Sequence, residues 1–259
     1  MNQIKIAAFC FNYETSVKKN KTKISKMLEK TKNNDFVLLP EDSFDADGKY
    51  CEEIPGEITC WLQDKAKQFS VNIIGNLTEK SQENYFSTCL IIDKTGDLVG
   101  TYRKIQLSHT DRTLRGLGSG EKLPLFELDG IPFGISICYD IWYPELIRNL
   151  VFKGAKIIFS PFKEENEYIP YVRSLVSARA IENIIPLVCC GGGGTSEKFK
   201  CRYQNFAFYL LPSGKIIKEE TEKEFSEYTF SDIDTLIERE KAQKSWKRPF
   251  DLSKNLKKI

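Results

Sequence analysis

The chain has 259 residues, 41% of them hydrophobic and 29% charged, with a net charge of +2. That length suits one large domain with a buried core or two small ones, and the apolar fraction argues against a disordered chain. The near balance of charge gives no reason to expect nucleic acid or a membrane surface as a partner, and no apolar run approaches the ~20 residues of a membrane span.

Met1–Cys10 reads as a first strand. It has neither the basic start and long apolar run of a secretion signal nor a Gly at position 2 for myristoylation. The eight cysteines (Cys10, Cys51, Cys60, Cys89, Cys138, Cys189, Cys190 and Cys201) form no C-x-x-C pair, and several sit in apolar runs. Reduced, mostly buried thiols in a cytoplasmic protein are expected. Cys189 and Cys190 are read as two small residues ending a strand.

Ile4–Phe11 predicts a strand, Ser16–Lys32 a polar helix and Phe36–Leu39 a second strand. Ile58–Phe69 predicts a helix leading into the strand Val71–Leu77. That succession implies a mainly α/β fold. Three hairpins follow. Phe86–Asp93 and Leu98–Arg103 flank Lys94-Thr-Gly-Asp97; Leu123–Leu128 and Ile131–Ile137 flank Asp129-Gly130; Phe206–Leu211 and Lys215–Lys218 flank Pro212-Ser-Gly214. The sheets are therefore expected to be mixed. After Cys138, Pro144 suits a first helical position, Leu146, Ile147, Leu150 and Val151 form one face, and Gly154 can end the helix. A strand Lys156–Phe159, a helix Tyr171–Asn183 and a strand Ile184–Cys190 come next. Gly191–Gly194 lacks the Lys-Ser/Thr of a phosphate loop and is expected to be a mobile loop. No linker or repeat divides the chain, so one domain over residues 1–259 is expected. Residues 236–259 hold eight Lys/Arg against three Asp/Glu, interleaved with Trp246, Phe250 and Leu252. They read as a C-terminal docking extension.

Three segments bear chemistry. An apolar run delivers Cys138 to a strand-to-helix corner, where a helix N-terminus lowers a thiol pKa; a buried core cysteine is the competing reading. Val37-Leu-Leu-Pro-Glu41-Asp42 ends a strand in two acids, either an active-site base or exposed loop carboxylates. Gly100-Thr-Tyr-Arg103-Lys104 ends a strand in two cations. One can stabilise negative charge on an attacked carbonyl, or both can guard a sheet edge. The single histidine, His109, leaves little room for Cys–His chemistry.

Taken together, Leu38-Leu-Pro-Glu41, Tyr102-Arg-Lys104-Ile-Gln-Leu107 and Gly134-Ile-Ser-Ile-Cys138-Tyr-Asp-Ile-Trp-Tyr-Pro-Glu145 resemble the signature of the nitrilase, or carbon–nitrogen hydrolase, superfamily. Flanking likeness at Gly154–Pro161, Arg179–Asn183 and Leu211–Ile217 extends the resemblance over nearly the whole chain. It implies an α/β fold, a four-layer α-β-β-α sandwich with two mixed sheets. It also implies a Glu41–Lys104–Cys138 triad, the backbone N–H of Tyr139 as oxyanion donor, no cofactor and no metal. The implied reaction is hydrolysis of a small-molecule amide through a cysteine thioester, by a homodimer or higher homo-oligomer. The chain departs from the family pattern at three points. Gln106 stands where a His is common. Asp111 is the nearest acid to the family's second Glu. Trp142-Tyr143 replace an Arg-Phe pair, which weakens the case for a carboxylate-bearing substrate. Trp142 and Phe162 are expected as an aromatic substrate wall or as core. An N-carbamoyl hydrolase, a nitrilase, a non-catalytic scaffold and a thiol redox protein are the competing readings.

Overall fold

Alternation along the first strand sets the layering. In β1 (Gln3–Phe9), Ile4, Ile6 and Ala8 enter one buried cluster while Ala7 and Phe9 enter another. Successive strand side chains point to opposite faces, so this strand is covered on both sides. The computed structural model describes residues 3–243. Among them the first sheet has the order β14-β1-β2-β3-β4-β5. Its other members are β2 (Phe36–Leu38), β3 (Asn72–Ser81), β4 (Asn84–Ile92), β5 (Leu98–Arg103) and β14 (Phe225–Ser231). The second sheet has the order β13-β12-β9-β8-β7-β6. It consists of β6 (Phe126–Leu128), β7 (Ile131–Ile135), β8 (Ile157–Phe162), β9 (Leu187–Gly191), β12 (Phe206–Leu210) and β13 (Ile216–Glu220). A two-stranded ribbon joins β10 (Gly194–Ser196) to β11 (Cys201–Tyr203).

Both large sheets are mixed. β1, β2 and β3 run parallel, as do β7, β8 and β9, and antiparallel strands complete each side. Between the sheets Phe36 meets Phe133 and Phe159 at ring-centroid distances of 5.7 and 5.4 Å. Full burial of each such ring is worth roughly 1.5–3 kcal/mol. Outside the first sheet, α1 (Val17–Lys30) and α2 (Glu57–Phe69) bury Ile24, Met27, Leu28, Ile58 and Leu62. Outside the second lie α3 (Pro144–Phe152) and α4 (Ile169–Asn183), which bury Ile147, Leu150, Val172 and Val176. The result is the expected four-layer α-β-β-α sandwich. α5 (Ile233–Gln243) follows β14.

Local chemistry explains the joints. Ser16 caps α1 by accepting from the Lys19 N–H at 3.4 Å. Asp129 and Gly130 both have positive φ (52° and 73°), the backbone of a type I′ hairpin. Gly134 lies where a Cβ would come within 2.7 Å of Leu150 and 2.9 Å of Ile158, so its bare backbone lets α3 press on β7.

Some expectations need correction. β3 runs on to Ser81 and turns directly into β4, a hairpin whose polar, exposed tip carries no apolar alternation to betray it. β6 begins only at Phe126; Leu123 and Leu125 pack on the core from outside the strand. Gly191–Gly194 is no mobile loop. Its residues 191–193 are buried, Gly193 exchanges backbone bonds with Phe11 and Tyr13, and a Cβ on Gly192 would stand 2.0 Å from the Tyr13 ring. Close backbone approach explains these glycines. Trp246, Phe250 and Leu252, expected to belong to a docking extension, lie outside the described residues.

Candidate active site

The carboxyl ends of β2, β5, β7 and β8 meet at one end of the sandwich. Glu41 lies three residues past β2, Lys104 directly past β5, Cys138 three past β7, and Lys163 and Glu164 directly past β8. The two sheets are tied there by the Glu41 N–H, which donates to the Phe162 carbonyl at 3.2 Å. The Tyr13 hydroxyl holds the same loop by donating to the Glu41 carbonyl at 2.7 Å. A cavity of about 310 Å³ opens at this end, and Glu41, Lys104, Asp111, Cys138, Tyr139 and Trp142 are among its walls.

Lys104 is the hub. Its Nζ lies 2.9 Å from Glu41 Oε1 and 2.8 Å from Asp111 Oδ2, and all three side chains are at most 5% exposed. The neighbouring Arg103 points the other way, pairing with Glu79 and stacking 4.0 Å over the Phe86 ring. Strand alternation thus divides the two cations: one guards the edge and the other enters the site. Ser87 donates to Glu41 Oε1 as well, at 3.1 Å.

Asp111 reaches Lys104 from a short π-helical turn, Thr110–Leu114. The Ser108 N–H donates to Asp111 Oδ2 and the Asp111 N–H to Ser108 Oγ, each at 3.1 Å. That reciprocal pair has the form of a capping box, and Ser108-His-Thr-Asp111 spells it in the sequence. A carboxylate one methylene shorter than Glu therefore still touches the lysine, because its own turn is drawn in. Behind it, Arg115 bonds Asp42 at 2.8 Å and Asp111 at 3.5 Å, and Lys163 bonds Asp42 at 3.3 Å.

Cys138 sits at a strained corner. Its φ is +46°, in the left-handed region that non-glycine residues rarely adopt, and it opens a 3₁₀ turn, Cys138–Trp142, between β7 and α3. Asp140 holds the corner. Its carboxylate accepts from the Ile137 N–H at 2.9 Å, the Gln106 N–H at 2.7 Å and the Tyr102 hydroxyl at 2.7 Å. Burial pushes that carboxyl up to about 6 against the pull of its donors. Arg179 of α4 clamps the far end, donating to the Ile141 and Trp142 carbonyls at 2.8 and 3.1 Å.

Electrostatics follow from burial among opposed charges. Burial raises the Glu41 carboxyl; Lys104 opposes this, while Asp111 and Asp42 add to it. Burial lowers the Lys104 amine, but Glu41 and Asp111 outweigh it and hold it above its ordinary value. Burial raises the Cys138 thiol well above the usual range, Glu41 adds to this, and Lys104 pulls against it. Asp42 is pushed up by burial, yet Arg115 and Lys163 carry it below the ordinary carboxylate range. The site thus sets a thiol and a carboxyl, both raised by burial, beside an amine held up by two carboxylates.

The structure thus brings Glu41, Lys104, Asp111, Cys138, Tyr139 and Trp142 to one cavity. Phe162 lies elsewhere: its ring is fully buried against Phe206 at 5.6 Å, because strand alternation turns it into the core, and only its carbonyl serves the site. His109 is exposed at the cavity's rim. The sequence reading missed Glu164, whose Oε2 lies 3.9 Å from Cys138 Sγ, and it missed the Asp42–Arg115–Lys163 cluster. The signal available was position, since Lys163-Glu164 directly follow a buried strand. Among the described residues no group of His, Cys, Asp and Glu could hold a metal ion, and no helix is long and apolar enough to cross a membrane.

This fold and this cysteine corner define a chain of the carbon–nitrogen hydrolase family, to which the protein belongs: the family model matches residues 3–238. Its relatives include a Staphylococcus lugdunensis protein named as a hydrolase in the agr operon, 31% identical over 82% of this chain and 93% of that one. Another is the 2-oxoglutaramate amidase of Bacillus subtilis, 28% identical over 81% of this chain and 84% of that one. Among solved structures, the carbon-nitrogen hydrolase from Helicobacter pylori G27 superposes with a TM-score of 0.85 at 20% identity, covering 99% of both chains.

Proposed function

We propose that the protein hydrolyses a non-peptide C–N bond of a small amide through a thioester on Cys138. The observation that carries this reading is the buried Lys104 ammonium, held by Glu41 at 2.9 Å and Asp111 at 2.8 Å on the wall of the cavity that Cys138 also lines. Membership of the carbon–nitrogen hydrolase family and the likeness to an amidase support the reaction class.

In this mechanism the Cys138 proton passes to Glu41 as Sγ attacks the amide carbon. The raised Glu41 carboxyl suits it to accept that proton. Charge moves onto the former carbonyl oxygen, where the Lys104 ammonium and the Tyr139 N–H oppose it. The C–N bond breaks as Glu41 returns the proton to the departing nitrogen, leaving a thioester and ammonia or an amine. Glu41 then takes a proton from water, whose oxygen attacks the thioester carbon. The C–S bond of that second intermediate then breaks, releasing the carboxylic acid as Glu41 returns its proton to Sγ. Asp111 keeps Lys104 charged and oriented while Glu41 cycles between its two forms.

The test is ammonia release over a panel of small amides, N-carbamoyl compounds and nitriles. Turnover of an amide is expected, with a transient acyl mass on Cys138. Cys138→Ala should lose at least ~10⁴-fold, the scale on which loss of a covalent nucleophile is felt. Retained activity in that variant refutes the mechanism.

A further inference from the structure

The charges lining the cavity do not balance. Its cations are all engaged by carboxylates: Lys104 by Glu41 and Asp111, Arg115 by Asp42 and Asp111, and Lys163 by Asp42. Lys163 also donates to the Ala46 carbonyl at 2.8 Å. Two further carboxylates on the wall, Glu164 and Glu165, have no Lys, Arg or His within 4.0 Å among the described residues. Glu164 is the inner one. Its Oε1 accepts the Glu165 N–H at 3.2 Å, which turns Oε2 toward the nucleophile, 3.9 Å from Cys138 Sγ. Burial pushes its carboxyl up to about 7 and the Glu165 N–H pulls it down; Glu41 adds to the rise, and Lys104, beyond ion-pair distance, lowers it.

The rest of the wall suits a cation. Tyr139 and Trp142 lie with ring centroids 5.9 Å apart on one side, and Tyr168 stands at the mouth. Ring faces and an unpaired carboxylate are the two groups that hold an organic ammonium. A carboxylate-bearing substrate would meet no free cation here, since Arg115 and Lys163 are both committed to Asp42.

Resting on the hydrolytic reading above, we infer that the substrate is an amino-amide whose ammonium group binds Glu164 while its amide meets Cys138. The reach is bounded. A carbonyl carbon ~3 Å from Sγ and an ammonium ~2.8 Å from the carboxylate are separated by no more than about 10 Å across the 3.9 Å gap. Glu164 is a specificity residue in this account, and the reacting atoms remain with Glu41, Lys104 and Cys138.

The experiment compares 4-aminobutanamide, its neutral isostere pentanamide, and glutaramate, in ammonia release and in calorimetric binding to the Cys138→Ala protein. The wild type is expected to favour the amino-amide over the isostere by about tenfold or more, the scale of one charge-assisted hydrogen bond, and to favour glutaramate least. In Glu164→Gln the ratio of kcat/KM for amino-amide to isostere should fall toward one, through KM. The Glu164→Gln/Cys138→Ala protein, with its fold checked by circular dichroism, should lose the binding preference equally. An unchanged ratio in Glu164→Gln, a uniform loss on all three compounds, or a preference for glutaramate overturns the inference. If no amide is turned over, the binding arm still decides: selective binding of the amino-amide upholds Glu164 and sinks the hydrolytic reading. Absence of that selectivity sinks the inference itself.

Discussion

Asp111→Asn probes the arrangement most directly, because it removes one charge from a buried cluster and keeps the shape. In the native protein Lys104 Nζ is held at 2.8 Å by Asp111 and at 2.9 Å by Glu41, with 2% of its side chain exposed. At an effective dielectric constant near 20, the Asp111–Lys104 attraction is at most ~6 kcal/mol. Glu41 remains, and Asn still accepts a hydrogen bond, so a net loss of about 2–3 kcal/mol in stability is expected. If about 2 kcal/mol of that positioning is lost in the transition state, kcat/KM falls roughly thirty-fold. Asp111 raises the Lys104 pKa, so its removal moves the basic limb of the kcat/KM profile to lower pH. Burial would raise the Asp111 carboxyl, but Lys104 and Arg115 carry it below its ordinary 3.8. The stability it contributes is present above about pH 4 and is lost as pH falls through its folded value; the variant should lack that part of the acid transition. Ammonia-release kinetics across pH and thermal melts at pH 3 and 7 measure both. Activity within twofold of wild type, with an unmoved basic limb, refutes the reasoning.

Two structural predictions accompany it. Arg179→Ala removes the donors to the Ile141 and Trp142 carbonyls, so the corner after Cys138 loses its clamp; a stability loss of about 2–4 kcal/mol by denaturant titration is expected. Gly192→Ala drives a methyl to 2.0 Å from the Tyr13 ring, which also holds the Glu41 carbonyl; overpacking of ~1–3 kcal/mol should lower Tm and reduce kcat together, whereas an unchanged melting temperature would show that this contact relaxes freely.

Much of the fold was legible because it is written locally. The β1 alternation, the Asp129-Gly130 turn and the Pro144 helix start each need only a few neighbouring residues. The β3–β4 tip was not, since its exposed residues have no burial to impose a period. The pairing of β14 with β1 joins residues more than 200 apart, and nothing in either strand names the other. Phe162 stayed open between wall and core for a related reason: an aromatic ring at a strand end reads the same whether it faces core or cavity, and only its packing on Phe206 across Gly191 places it in the core. Asp111 was visible as an acid within reach, and the Ser108–Asp111 capping box was the overlooked sign that it is drawn toward Lys104.

The sequence by itself determined most strands and helices up to the Pro212-Ser-Gly214 hairpin and the cysteine corner, because these depend on periodicity and turn chemistry; Glu41, Lys104 and Cys138 stood out together only through the family resemblance of their motifs. Only the tertiary structure decided the charge state of that corner. Whether Lys104 keeps its proton, whether Arg115 and Lys163 are free, and whether Glu164 is left without a cation depend on which distant segments come within 4 Å in a medium from which water is largely excluded. Coulomb energy is set by distance and burial, and neither is a property of any stretch of chain alone.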